Sequence, residues 1–247
     1  MRPFFYIANW KMSQSLAGTQ EYVQALSHDS DFTSLTPKIK VVLCPSFPSL
    51  GLLAQELKNS SIALGAQTCS PHASGPYTGQ VAASTLVGVG CTYCLIGHSE
   101  RRACGETTQQ ISGQYNQLVN NALTPILCIG ESEKEHAAGA TTTVLEQQLT
   151  PLIKTYQENP ATTLLIAYEP VWAIGTGKTP TTTELTTTFS WLKKRLQNDL
   201  PEATTFFIYG GSVDETNSAA IKKITHLDGI LVGSASLNFK NFKNIVV

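Results

Sequence analysis

The chain has almost no charge imbalance: 17 lysines and arginines against 18 aspartates and glutamates leave a net charge of −1. Nothing global draws it to nucleic acid or to an anionic membrane, so any anionic ligand must be held by local donors. It lacks an apolar run of membrane-spanning length. The stretch from Met1 to Asn9 is too short in its apolar part for a signal-peptide core and is expected to form a strand. It also lacks a disulfide pattern. Of six cysteines, Cys44, Cys94 and Cys128 fall in apolar strand-like runs, where cysteine behaves as a small hydrophobe. Cys91-Thr92-Tyr93-Cys94 has the spacing of a metal or redox pair, but no second pair matches it, and no metal site is expected. This cysteine usage suits a reducing cytoplasm.

Nucleotide signatures are missing too. No Gly-x-Gly-x-x-Gly follows the first expected strand. Gly175-Thr176-Gly177-Lys178-Thr179 looks like the end of a phosphate-binding loop, yet the full pattern needs glycine where Trp172 stands. There is no linker and no low-complexity tract, although threonine clusters at 141–143 and 181–188.

What is present is a core. Hydrophobic residues make up 42% of the chain, enough for a sizeable interior and too many for a disordered protein. Eight short β-rich runs recur: Phe4–Ala8, Ile39–Cys44, Ile62–Ala66, Thr92–Ile96, Ile126–Ile129, Leu164–Tyr168, Phe206–Tyr209 and Gly229–Val232. Most are apolar at consecutive positions, as expected of strands covered on both faces. Helical spacing appears between them, as in Ser49–Lys58 and Thr181–Leu200, the latter with Pro180 near its start. Eight strand-then-helix units in 247 residues predict an α/β fold, a single (β/α)8 barrel domain over residues 1–247. A doubly wound sheet is the structural alternative.

In such a barrel, chemistry sits at the C-terminal ends of the strands. Those ends carry Asn9 and Lys11, then Gln67, then His98 and Glu100, then Glu131, then Glu169. Gly210-Gly211-Ser212 follows the seventh strand and Gly233-Ser234 the eighth. Paired Gly/Ser turns leading toward helices point backbone N–H groups at an anion and predict a phosphate site. Glu169 stands between an apolar strand and Pro170. The segment that follows, Val171-Trp172-Ala173-Ile174-Gly175-Thr176-Gly177-Lys178, has small residues around one large anchor. A base on rigid backbone beside a loop able to close over it suits proton transfer. Arg101 and Arg102 are expected to partner nearby acids.

Asn9-Trp10-Lys11, Gly97-His98-Ser99-Glu100-Arg101-Arg102, Ala167-Tyr168-Glu169-Pro170-Val171-Trp172 and Tyr209-Gly210-Gly211-Ser212 together resemble the triosephosphate isomerase family, from the first strand to the C-terminus. The resemblance implies a TIM barrel that interconverts dihydroxyacetone phosphate and D-glyceraldehyde 3-phosphate through an enediol(ate), without a cofactor, in glycolysis and gluconeogenesis. It implies Glu169 as the base, and His98 as the group polarising the carbonyl. Lys11 and Asn9 would stabilise charge on the substrate oxygens, with Glu100 as an auxiliary acid. Gly175, Ser212, Gly233 and Ser234 would hold the phosphate, and residues 170–178 would form a lid.

The resemblance also implies a cytoplasmic homodimer, joined through a loop that includes Gln67, Thr68, Tyr77, Thr78 and Gln80. The chain departs from the family pattern at several points. The family usually has Asn or Asp at position 68 and Glu at position 80. It usually reads Gly-Gly-Ala-Ser-Leu where this chain has Gly233-Ser234-Ala235-Ser236-Leu237, and it usually has Phe at position 104, here Cys104. Three alternatives remain at this point. One is another barrel enzyme acting on a phosphorylated sugar. Another is a glycosidase using Glu100 and Glu169 as a carboxylate pair. The last is a non-catalytic protein that kept the fold.

Overall fold

The computed structural model describes residues 2–33, 38–200 and 204–247. Eight strands form one closed parallel barrel in chain order: β1 (Phe4–Asn9), β2 (Ile39–Cys44), β3 (Ala63–Ala66), β4 (Cys91–Ile96), β5 (Thr124–Ile129), β6 (Thr163–Tyr168), β7 (Thr204–Tyr209) and β8 (Gly229–Val232). Each sequence run lies on its strand to within two residues. Closure comes from β1 pairing with both β2 and β8, with Tyr6 opposite Val41 on one side and Ile230 on the other.

The consecutive apolar positions have a geometric cause. Successive side chains of a strand point to opposite faces. Phe5, Ile7, Val42, Cys44, Leu95, Ile126, Cys128, Leu165, Ile208 and Leu231 pack into one inner cluster that fills the barrel. Their neighbours Tyr6, Ala8, Leu43, Ile96, Leu127, Ile166, Phe207 and Val232 belong to the outer cluster beneath the helices. Both faces are dry, so neither can alternate with polar residues. Each fully buried Leu, Ile or Phe contributes on the order of 1.5–3 kcal/mol.

The helices follow their local signals. The expected helix at 49–58 runs Phe47–Glu56, with a proline in its first turn. The expected helix at 181–200 runs Thr182–Gln197. Thr181 caps it by accepting from Glu184 N, and the Glu184 side chain accepts in return from Thr181 N. All six cysteines are free. Cys91 and Cys94 both lie in β4, and among the described residues no group of three or more His, Cys, Asp or Glu side chains could hold a metal ion. No described helix is long and apolar enough to cross a membrane.

Candidate active site

The polar residues singled out in the sequence converge at the C-terminal mouth of the barrel. Asn9, the last residue of β1, is buried, and its Oδ1 accepts from Lys11 N at 3.0 Å. Lys11 adopts a left-handed backbone (φ 51°), a conformation costly for a side-chain-bearing residue and found mainly where surrounding contacts impose it. That turn aims its Nζ at Glu100 Oε1, 2.6 Å away.

His98 caps the short helix Ser99–Ala103: its Nδ1 accepts from Glu100 N at 3.2 Å. An Nδ1 that accepts a backbone N–H carries no proton, which assigns the ring proton to Nε2. Nε2 lies 3.3 Å from Glu169 Oε2. Glu169 is 1% exposed, and neither of its carboxylate oxygens has a well-formed hydrogen bond. Burial pushes its pKa up, while His98, the Cys128 thiol and Lys11 pull it back. Such a carboxylate is under-solvated and short of partners, the condition of a strong base. The imidazole of His98 also stands between Glu100 (3.8 Å) and Glu169, the space a glycosidase would need for its sugar.

Beside these groups lies a cavity of about 310 Å³. It is lined by Lys11 and His98, by Gly210, Gly211, Ser212, Gly233 and Ser234, and by Ile174, Gly175 and Gly177 of segment 170–178. The walls after β7 and β8 are turns of backbone, and Ser234 opens a short 3₁₀ helix, Ser234–Leu237. Asp214 is an acid on this wall, but its Oδ1 is engaged by Thr216 N, Thr216 Oγ1 and Asn217 N. Glu169 faces a smaller adjoining cavity of about 100 Å³, together with Ser99, Cys128 and Val171.

The family model described as triosephosphate isomerase matches residues 4–247. The chain belongs to the triosephosphate isomerase family. It is 41% identical over 245 residues to the triosephosphate isomerase of Colwellia psychrerythraea, covering 96% of this chain and 94% of that protein. It is 36% identical over 242 residues to that of Lawsonia intracellularis (97% and 95%), and 37% identical over 243 residues to that of Aquifex aeolicus (97% and 96%).

In this member of the triosephosphate isomerase family the segment 170–178 holds a one-turn 3₁₀ helix, Val171–Ala173, followed by Gly175 and Gly177 at positive φ. Its anchor is Trp172, whose Nε1 donates to Glu131 Oε1 at 3.0 Å. Ser212 Oγ donates to the Ala173 carbonyl at 2.7 Å, tying the turn after β7 to the same segment. Lys178 pairs with Glu133.

Several contacts refine the sequence reading. Gln67 is placed in the loop after β3, but its amide donates to the carbonyls of Lys11 (2.8 Å) and Cys44 (3.0 Å), so it braces the Lys11 turn. Thr68 Oγ1 accepts from Gln114. Gln80 Oε1 accepts from Ser70 Oγ at 2.6 Å, and Tyr77 stacks on His72. Arg101 pairs with an acid, Glu106, as expected. Arg102 instead donates to the carbonyls of Gly97 and Cys128, because its guanidinium lies where strand ends leave acceptors open.

Two glycines matter in a way that spacing does not reveal. A Cβ on Gly210 would meet Glu169 Cγ at 2.5 Å, and one on Gly130 would meet the Glu169 carbonyl at 1.9 Å. In the sequence Gly210 marks only a phosphate turn, and Gly130 has no motif around it.

Proposed function

We propose that this chain interconverts dihydroxyacetone phosphate and D-glyceraldehyde 3-phosphate, and that its whole length works as one (β/α)8 domain. The observation that carries the reading is the facing of His98 Nε2 and buried Glu169 at 3.3 Å, beside a cavity walled by backbone turns and by Lys11. A proton α to a carbonyl is weakly acidic, so its removal needs a positioned base and a stabilised oxyanion. Glu169 takes the proton from one carbon and returns it to the other, a contribution of roughly 10²–10⁴-fold. His98, donating from Nε2, and Lys11 stabilise the developing enediolate oxygens, each such donor worth on the order of 3 kcal/mol. Asn9 supports Lys11 and the same oxygens, and Glu100 holds the Lys11 ammonium in place.

The phosphate binds to backbone N–H groups at Gly175, Ser212, Gly233 and Ser234. It is remote from the reacting carbons, so its binding energy can drive the lid, residues 170–178, down over the site. Pro170 and Val171 directly follow Glu169, so lid movement and placement of the base are mechanically joined. No cofactor is needed in this scheme.

The working form is proposed to be a cytoplasmic homodimer, with the loop carrying Thr68, Tyr77, Thr78 and Gln80 reaching the Asn9–Lys11 region of the second subunit. The exposure of Met12 and Leu16 beside the Lys11 turn, and of Tyr77 on the loop, supports it, since an interface would cover apolar side chains that are otherwise open. A coupled assay of glyceraldehyde 3-phosphate isomerisation tests the reading. Turnover without added metal or nucleotide is expected, and an inert, folded protein would refute it.

A further inference from the structure

Gln148 lies on the helix Thr141–Glu158, beside buried Leu149 and one turn from buried Leu145 and Leu152, and the proposed chemistry makes no use of it. Its amide closes a ring of two hydrogen bonds on one residue just past the end of β5. Gly130 N donates to Gln148 Oε1 at 2.9 Å, and Gln148 Nε2 donates to the Gly130 carbonyl at 3.0 Å. Only this orientation of the amide satisfies both partners.

The barrel explains why Gly130 needs such a partner. The carbonyls of Ile129 and Glu131 face the β6 side, where they accept from Glu169 N at 2.7 Å and Val171 N at 2.9 Å. Successive peptide groups of an extended chain point to opposite sides, so the polar groups of Gly130 face away from β6. On that other side β4 pairs with β5 only as far as Ile96 and Leu127. Beyond Ile96 the chain turns into the short helix Ser99–Ala103. Arg102 of that helix takes the Cys128 carbonyl at 3.2 Å. Gly130 is left with a donor and an acceptor to be served, and Gln148 serves both.

Gly130 in turn supports the proposed base. A Cβ there would lie 1.9 Å from the Glu169 carbonyl oxygen and 3.2 Å from Pro170 N, so the bare α-carbon packs directly on the Glu169–Pro170 peptide. The carboxylate of Glu169 has no well-formed hydrogen bond of its own. Its place therefore depends on the backbone that carries it and on what presses against that backbone. A residue beyond the end of its strand can shift by fractions of an ångström. A paired amide on a helix anchored by three buried leucines removes that freedom.

We infer that Gln148 is a positioning residue: from the helix outside the barrel it pins Gly130 against the Glu169 backbone and so sets the reach of the base. The inference rests on the isomerase reading for the role of Glu169, while the clamp itself is observable without turnover.

Gln148→Met keeps the size of the side chain and removes both hydrogen bonds. In this variant the Gly130 amide is expected to exchange with solvent at least about tenfold faster than in the wild type. Its kcat is expected to fall about tenfold or more, with KM and sulfate affinity changed by less than about twofold. Gln147→Met, at the exposed neighbouring position of the same helix, should leave exchange and kinetics unchanged. Gln148→Glu keeps an acceptor for the Gly130 N–H but, when ionised, has no donor for the carbonyl. It should lower kcat while protecting the Gly130 amide better than Gln148→Met does, and it carries the test if Gln148→Met does not fold. A merely structural role would lower Tm in the Gln148 variants and leave kcat per folded molecule at the wild-type value. That result, or a kcat loss matched by Gln147→Met, overturns the positioning role, and unchanged Gly130 exchange in Gln148→Met overturns the clamp. An inert wild type would instead remove the isomerase reading, with Gly130 exchange still deciding the clamp.

Discussion

Glu169, the proposed base, meets two opposed demands: a base must be ionised, and a side chain 1% exposed resists ionisation. Burial raises its pKa in the folded protein. The sign of the consequence follows from linkage. A raised pKa favours the protonated form in the fold, so that stabilisation is present below the ordinary carboxylate pKa and lost as pH rises through the raised value. Activity runs the other way. The acid limb of kcat/KM is expected to lie above the ordinary carboxylate range, because the base works only when ionised. Glu169→Gln removes the charge at every pH. Its turnover should fall by at least ~10²-fold, while its Tm at neutral pH stays equal or rises; near-normal turnover in a verified variant would take the base role from Glu169. Ser234 makes a smaller claim. In the proposed scheme its backbone N–H would serve the phosphate as a glycine's would, so Ser234→Gly should change KM by less than about tenfold, the equivalent of 1.4 kcal/mol. A collapse of kcat at unchanged KM would show that the residue acts elsewhere.

At the scale of elements, the site depends on how closely the end of β6 approaches its neighbours. The backbone after β7 passes Glu169 so tightly that only a hydrogen fits at the Gly210 α-carbon: an added methyl would sit 2.5 Å from Glu169 Cγ and 2.9 Å from Oε1. Gly210→Ala must therefore move the carboxylate or the strand. Overpacking of this kind costs about 1–3 kcal/mol, and displacement of a base by even a fraction of its reach lowers turnover steeply. The expected result is a folded protein with a lowered Tm and a kcat reduced more than the KM is changed, read by thermal denaturation and steady-state kinetics. Wild-type kinetics in Gly210→Ala would mean that Glu169 is not held from that side.

Across the whole molecule, the loop after β3 is organised from within by Ser70–Gln80, His72–Tyr77 and Gln114–Thr68 contacts, yet Tyr77 and Thr78 stay exposed. Gln67 joins the base of this loop to the Lys11 turn, so a partner seated on the loop would also steady the lysine. Where the family usually has an acid at position 80, Gln80 spends its oxygen on Ser70. A dimer formed through this loop would then lack one charge-assisted contact, but exposed pairs contribute only ~0–1 kcal/mol. A homodimer is expected at micromolar concentration by sedimentation, with Gln80→Glu tightening it slightly or leaving it unchanged. A fully active monomer would refute both the dimer and its support of the site.

The architecture was legible along the chain because its cause is local. A strand dry on both faces must be apolar at consecutive positions, so the runs from Phe4 to Val232 mark the barrel, and the polar residues just beyond them mark its mouth. Asn9, Lys11, His98, Glu100 and Glu169 could be named from that rule and from the family resemblance. Their geometry could not. The left-handed turn of Lys11, the brace from Gln67, the ring orientation of His98, the fit of Gly130 and Gly210 around Glu169, and the hydrogen bond from Trp172 to Glu131 join residues from different strands and loops. Such contacts have no period and no fixed spacing in sequence. They exist only once barrel closure has brought the strand ends within a few ångströms of one another.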